Sequence, residues 1–249
     1  MNTGHRKTIG TAALILGLAA LYVIILLTAV HVVGTDAGLY YNEQMKADIL
    51  PASGLTDDAL KALDGRLADY LRGDAGALDG APFNDRELTH MADCYDLFAL
   101  LRTVRARLIP WVLVLALGGA WLLSDRKAIR RCAWLSPPVI LIPLGLFAVY
   151  AAVNFDQAFT FFHKMLFRND LWLLDPATDL LIRICPESMF MHMGMRIAFY
   201  GLFGMLAASG IVTIITLAWP RGKEENTWKT TTRRGPAPKQ INFGNRGTR

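Results

Sequence analysis

Two histidines lie in two separate polar segments of this chain, Phe83-Asn84-Asp85-Arg86-Glu87-Leu88-Thr89-His90-Met91 and Phe161-Phe162-His163-Lys164-Met165. Each segment adjoins a long apolar stretch, and each histidine has carboxylates at helical spacing. In a helix Arg86, His90 and Asp93 share one face, and so do Asp156, Thr160 and His163. A carboxylate one turn from a histidine fixes its tautomer and raises its basicity, so Asp93 and Asp156 are candidate orienting groups. Paired histidines beside a bilayer surface suit acid/base chemistry on a lipid or a lipid-linked group. Spacing alone leaves the bland readings open: a salt-bridged face with an incidental histidine at His90, and an interfacial histidine with no task at His163.

The elements that must position these residues are membrane helices. The chain has 249 residues, of which 53% are hydrophobic, and a mean hydropathy of +0.31. The apolar residues are clustered, which excludes an ordinary soluble domain. Crossing a hydrocarbon core of about 30 Å takes ~20 helical residues. Four stretches qualify: Ile9–Gly34, Leu108–Leu123, Trp134–Val153 and Ile197–Trp219. The second is short, but Leu97, Leu101, Val104 and Leu108 predict that its helix starts earlier, outside the bilayer. The first is too long for a removable signal and reads as a retained anchor. The expected fold is all-α: four transmembrane helices, residues 1–220 forming one membrane domain, with outer segments 35–107 and 154–196 building a helical cap.

Charge sets the expected orientation. Arg6 and Lys7 precede span one, Arg126, Lys127, Arg130 and Arg131 lie between spans two and three, and the tail from Arg221 has eight Lys/Arg against two Glu. These segments and both termini should be cytoplasmic. Residues 36–97 hold thirteen Asp/Glu against five Lys/Arg and should lie outside. Arg102, Arg105 and Arg107 run against this rule at the entry to span two. They either snorkel to the interface or contact headgroup phosphates. The net charge of +5 comes largely from a Gly/Pro/Thr/Asn-rich tail, 221–249, whose composition predicts disorder, so it is no signal for nucleic acid.

Outside the spans, Thr56 should cap a helix with Leu60, Leu63, Leu67, Tyr70 and Leu71 on one side. Asn84 with Glu87 reads as a capping box opening the His90 helix. Phe155, Phe159, Phe162 and Leu166 form an apolar stripe on an interfacial helix. Asp175, with Pro176 at the first helical position, should open a helix covering Asp179–Ile184 that breaks near Pro186. Glu187 is either an orienting group or a plain surface carboxylate. His31 and His192 read as structural, and His5 carries no signal. Cys94 and Cys185 either bridge or pack as free thiols. No CxxC or HExxH pattern is present, so neither a metal site nor a cofactor is indicated.

Taken together, residues 83–93 (Phe-Asn-Asp-Arg-Glu-Leu-Thr-His-Met-Ala-Asp) and the ordered positions Phe155, Asp156, His163, Asn169-Asp170-Leu171-Trp172, Asp175-Pro176 and Pro186-Glu187 resemble a family of bacterial integral membrane proteins, the lipoprotein intramolecular transacylases. The resemblance implies movement of the sn-2 acyl chain of a diacylglyceryl lipoprotein to the α-amine of its N-terminal cysteine, leaving a lyso-lipoprotein. It implies diacylated lipoproteins and membrane lipids as partners, no cofactor, and a site on the outer side of the bacterial cytoplasmic membrane. His90 and His163 match the family's histidines. Arg86 and Asn169 are candidate oxyanion donors, and Arg102, Arg105 and Trp172 candidate substrate contacts. The nucleophile belongs to the substrate, so no catalytic Ser or Cys is required.

Two other classes compete. A metal-dependent membrane hydrolase would use His90, His163 and acids as ligands. A non-enzymatic outer-facing sensor or assembly protein would use segment 36–97 as its surface, and would be indifferent to both histidines.

Overall fold

The computed structural model describes residues 2–78 and 80–219, and among these every regular element is helical. Helix α1 is Thr3–Gly34, α2 Ala37–Lys46, α3 Leu50–Ser53 and α4 Asp57–Arg72. Helix α5, Asp85–Val112, runs through a π turn at Leu113–Leu117 into α6, Gly118–Leu123. Then come α7 (Arg126–Leu135), α8 (Pro137–Val153), α9 (Phe155–Leu166), α10 (Leu180–Ile184) and α11 (Glu187–Ala218). The expected tail at 221–249 lies outside the described residues.

Four helical runs are long and apolar enough to cross a membrane: α1, α5 to α6, α7 to α8, and α11. Their exposed residues include Val114, Leu117, Val139, Leu146, Ile214 and Leu217, each more than 60% exposed, as a lipid-facing belt requires. The α5-to-α6 run has 39 residues, about 58 Å at 1.5 Å per residue. That is nearly twice the ~30 Å apolar layer, so the half carrying His90 stands clear of it. Pro110 cannot donate to the Ala106 carbonyl, and the π turn follows within one helical turn.

Helix α1 packs against α5, α6 and α11. The contact with α6 and the π turn before it is backbone to backbone: a Cβ on Gly119 would sit 2.4 Å from the Leu14 nitrogen, and one on Gly17 2.5 Å from that of Ala116. Small residues permit this approach where lipid supplies no hydrophobic drive between helices. A buried polar knot locks α7 to the same centre. Pro137 has no N–H for the Ala133 carbonyl, so Tyr22 Oη (2.9 Å) and Ser209 Oγ (2.8 Å) donate to it instead.

Beyond the spans, the segments 35–107 and 154–196 share one core. Leu60, Leu63, Leu67 and Leu71 of α4 cluster with Phe83 and Met91, and with Leu180, Leu181, Ile184 and Met189 of the later segment. Thr56 caps α4 through the Ala59 N–H, and Gly73 ends it at φ 89°. Cys94 and Cys185 both pack against this core as free thiols.

One local expectation fails. Asp175 opens a turn, not a helix. Its carboxylate accepts from the Ala177 N–H, while Asp179 reaches back to the Asp175 N–H at 2.7 Å. That closed ring of local bonds delays helix α10 to Leu180, with Asp179 as its cap residue.

Candidate active site

The capping box anchors the site. Asn84 Oδ1 accepts the N–H groups of Arg86 and Glu87, and the Glu87 carboxylate accepts the Asn84 N–H at 2.8 Å. Glu87, only 1% exposed, also accepts the Leu181 N–H, and Asn84 Nδ2 donates to Asp179 at 2.8 Å. The first turn of α5 is thereby fastened to α10, and His90 follows one turn later.

A strap crosses this face of α5. Asn169 Nδ2 donates to Asp93 Oδ2 at 2.8 Å, and Arg86 Nη2 donates to the Asp170 carbonyl at 2.6 Å. The strap carries Trp172, whose Nε1 donates to the Asn169 carbonyl. The buried indole lies against His163 of α9, with ring centroids 4.9 Å apart and planes 29° apart.

The two histidines meet. Their ring centroids are 6.2 Å apart, and they are 7% and 8% exposed. Phe167 contacts both rings, and Phe159 lies 3.9 Å from His163. His163 Nδ1 donates to the Phe159 carbonyl at 2.8 Å. A carbonyl only accepts, so the neutral ring keeps its lone pair on Nε2. His90 Nε2 lies 3.7 Å from Cys94 Sγ, and His90 Nδ1 is buried without a partner. Burial, reinforced by the neighbouring His163 and opposed by Asp93, pushes the His90 imidazole down to about 4. Burial also lowers His163, with the Phe159 carbonyl opposing. Both rings are thus neutral at pH 7, one with a free base nitrogen and the other with an unengaged nitrogen.

Other candidates go elsewhere. Asp93 bears electrostatically on His90, but its hydrogen bond goes to Asn169. Asp156 does not orient His163, because the i−4 carbonyl has taken that nitrogen. It lines a hollow with Asn154, Gln157 and Glu187 at the α8–α9 junction. Arg102 donates to the Leu71 carbonyl at 2.7 Å and lies over the Tyr95 ring. It closes the C-terminal end of α4, where unpaired carbonyls attract a cation, and so does not snorkel freely. Arg105 bears electrostatically on His31, and its Nη1 is buried without a partner. His192 pairs with buried Glu43 at 2.5 Å, as a structural histidine would. Spacing alone missed the aromatic walls, the Phe159 carbonyl and Cys94, although Cys94 stands four residues from His90 and the i,i+4 rule reaches it. Among the described residues no group of three or more His, Cys, Asp or Glu side chains is set to hold a metal ion.

An arrangement of two neutral, desolvated imidazoles can take a proton at one nitrogen and donate at another, with no nucleophile of its own. Comparison with known proteins identifies the family. A search of curated proteins finds no match. The chain superposes on the solved membrane-integral lipoprotein intramolecular transacylase Lit of Bacillus cereus with a TM-score of 0.70 and 25% identity, covering 86% of this chain and 97% of that one. A structure of the same Bacillus cereus protein with one histidine changed to alanine aligns at TM-score 0.66 and 25% identity, covering 86% and 95%. The family model for the lipoprotein intramolecular transacylase Lit matches residues 15–190. The chain belongs to that family of membrane-integral acyltransferases.

Proposed function

We propose that this enzyme moves the sn-2 acyl chain of a diacylglyceryl lipoprotein onto the α-amine of its N-terminal cysteine, with His163 as general base and His90 as hydrogen-bond donor. The single observation that carries this reading is the apposition of two buried imidazoles, 6.2 Å apart, from segments more than seventy residues apart in sequence. The α-amine, with a pKa near 7.7–8.0, must react as the neutral base. Its nitrogen attacks the ester carbonyl carbon, forming the C–N bond. His163 Nε2 takes the amine proton, and His90 Nδ1–H donates to the developing oxyanion. The C–O bond to glycerol then breaks, and the proton held on His163 passes to the departing glycerol oxygen. Atoms and charge balance without water or cofactor, and the product is isobaric with the substrate.

The energetics support this use. A neutral imidazole with a lowered pKa donates to an oxyanion without being a strong acid, and such a donor in a dry site contributes about 10²–10³ in rate. Holding amine and ester of one molecule in near-attack geometry supplies most of the remainder, up to ~7–11 kcal/mol. Trp172, Phe159 and Phe167 exclude water and orient the rings. Exposed Phe161, Phe162 and Met165 on α9 suit a helix lying at the bilayer surface where an acyl ester sits. The acidic 36–97 segment and the basic 126–131 stretch support an outer cap and cytoplasmic termini.

Mass spectrometry of the N-terminal lipopeptide tests this. A diacylated model lipoprotein is coexpressed with the wild-type enzyme or with the His90→Ala or His163→Ala variant. Acyl on nitrogen with wild type, absent with both variants, supports the proposal. Acyl still on glycerol with wild type present in the membrane, or N-acylation by both variants, overturns it.

A further inference from the structure

We infer that Cys94 is a positioning residue that holds His90 in its Nδ1–H tautomer and so aims a donor at the reacting ester. This rests on the role proposed for His90. Cys94 lies one turn along α5, with Sγ 3.7 Å from His90 Nε2, within reach of a sulfur hydrogen bond. Burial pushes its thiol up to about 12, so at working pH the sulfur keeps its proton and Cys94 serves neither as thiolate nucleophile nor as metal ligand. The S–H is a weak donor and Nε2 the acceptor that faces it. With Nε2 receiving, the ring proton belongs on Nδ1.

A second observation makes that assignment matter. His90 Nδ1 is buried, without a partner, on a residue only 7% exposed. A buried N–H left unpaired is costly, and an acceptor brought by substrate removes that cost. The free imidazole side chain favours the opposite, Nε2–H form, so a neighbour at Nε2 is needed to hold the rarer one. The i,i+4 geometry supplies that neighbour on the same rigid helix, and Asp93, its carboxylate committed to Asn169, does not compete for Nδ1.

The test uses the full-length enzyme in lipid nanodiscs with ¹⁵N-labelled histidine, as wild type, Cys94→Ser and Cys94→Ala. Ring nitrogen shifts, assigned by loss of the His90 signals in His90→Ala, report the tautomer directly. Expected is Nδ1–H in wild type and in Cys94→Ser, and a shift toward Nε2–H in Cys94→Ala. Turnover in Cys94→Ala should fall about tenfold at unchanged KM, and Cys94→Ser should recover most of it. A wild-type ring protonated at Nε2, or a Cys94→Ala enzyme with wild-type turnover, overturns the inference. His90→Ala and His163→Ala run in the same assay separate the two failures. If both stay active, the histidine mechanism itself fails. If both are dead while Cys94→Ala is fully active, only the role of Cys94 falls.

Discussion

Trp172 stacks on His163 with ring centroids 4.9 Å apart, and its indole N–H is tied to the Asn169 carbonyl of the same strap. The base nitrogen proposed for the reaction is therefore set by a loop that crosses to a different helix. Loosening the strap should misplace the imidazole without removing it. Asn169→Ala and Asp93→Ala break the same bond from its two ends. Each should lower kcat about tenfold, and the double variant should be little worse than either. Steady-state assays across the four-member cycle check this, since groups sharing one interaction are non-additive. Fully additive losses would mean the two residues act separately.

Removing the imidazoles themselves should cost more. His163→Ala loses a general base, typically worth about 10²–10⁴ in rate, and His90→Ala loses a donor worth about 10²–10³. Both variants should still reach the membrane and bind substrate, so kcat falls while KM moves little. Turnover of the purified variants on a synthetic diacylated lipopeptide gives both numbers.

The pH dependence has a definite sign. Burial holds both imidazoles below their ordinary range, His90 at about 4. Neither gains a proton near neutrality, and the rate should follow the substrate amine. kcat/KM should rise with pH up to about 8 and then level off, because only the neutral amine attacks. A bell with its acid limb at the free-histidine value near 6.5 would contradict the desolvation seen here. Stability follows the same group: His90 folded at about 4 against 6.5 unfolded favours the fold above pH 6.5, and this is lost as pH falls toward 4. The thermal midpoint of wild type should fall more steeply than that of His90→Asn as pH drops from 7 to 4.

Asp64 predicts the opposite trend. One carboxylate oxygen accepts from Gln44 at 2.9 Å, and the other is buried without a partner. Burial pushes this carboxyl up to about 7 from 3.8. Its folded-state pKa is raised, so its contribution is present below about 4 and is lost as pH rises through 7. Asp64→Asn keeps the acceptor for Gln44 and removes the charge. It should raise the melting temperature at pH 8 and have no such benefit at pH 4.

Arg102 separates structure from substrate binding. Its guanidinium sits on the Leu71 carbonyl at 2.7 Å. Arg102→Gln should lower stability by about 1.5–3 kcal/mol, the range of a hydrogen bond from a charged donor, and leave KM for the lipopeptide unchanged. A raised KM with an unaltered melting curve would restore it as a substrate contact.

Much of this molecule was legible in its residues. Apolar runs of about twenty residues can only be helices in lipid, since every backbone group there must pair within its own segment, and the four spans follow from that. The Asn84–Glu87 box and the Thr56 cap are equally local. His90 and His163 could be singled out because a titratable group beside a bilayer is costly and conspicuous. What spacing could not decide was which neighbour each side chain would choose. Asp156 stands at a plausible helical interval from His163, yet the Phe159 carbonyl of the same helix lies closer and takes the nitrogen. Arg102 looks like a free interfacial cation until α4 ends against it. Tyr22 and Ser209 meet only because Pro137 leaves the Ala133 carbonyl unpaired on a third helix. The meeting of the two imidazoles belongs to this second class. Their two segments are brought together by one shared apolar core and by hydrogen bonds spanning 76 to 95 residues of chain. Local propensity carries no information about contacts at that separation. Only the packed cap supplies them.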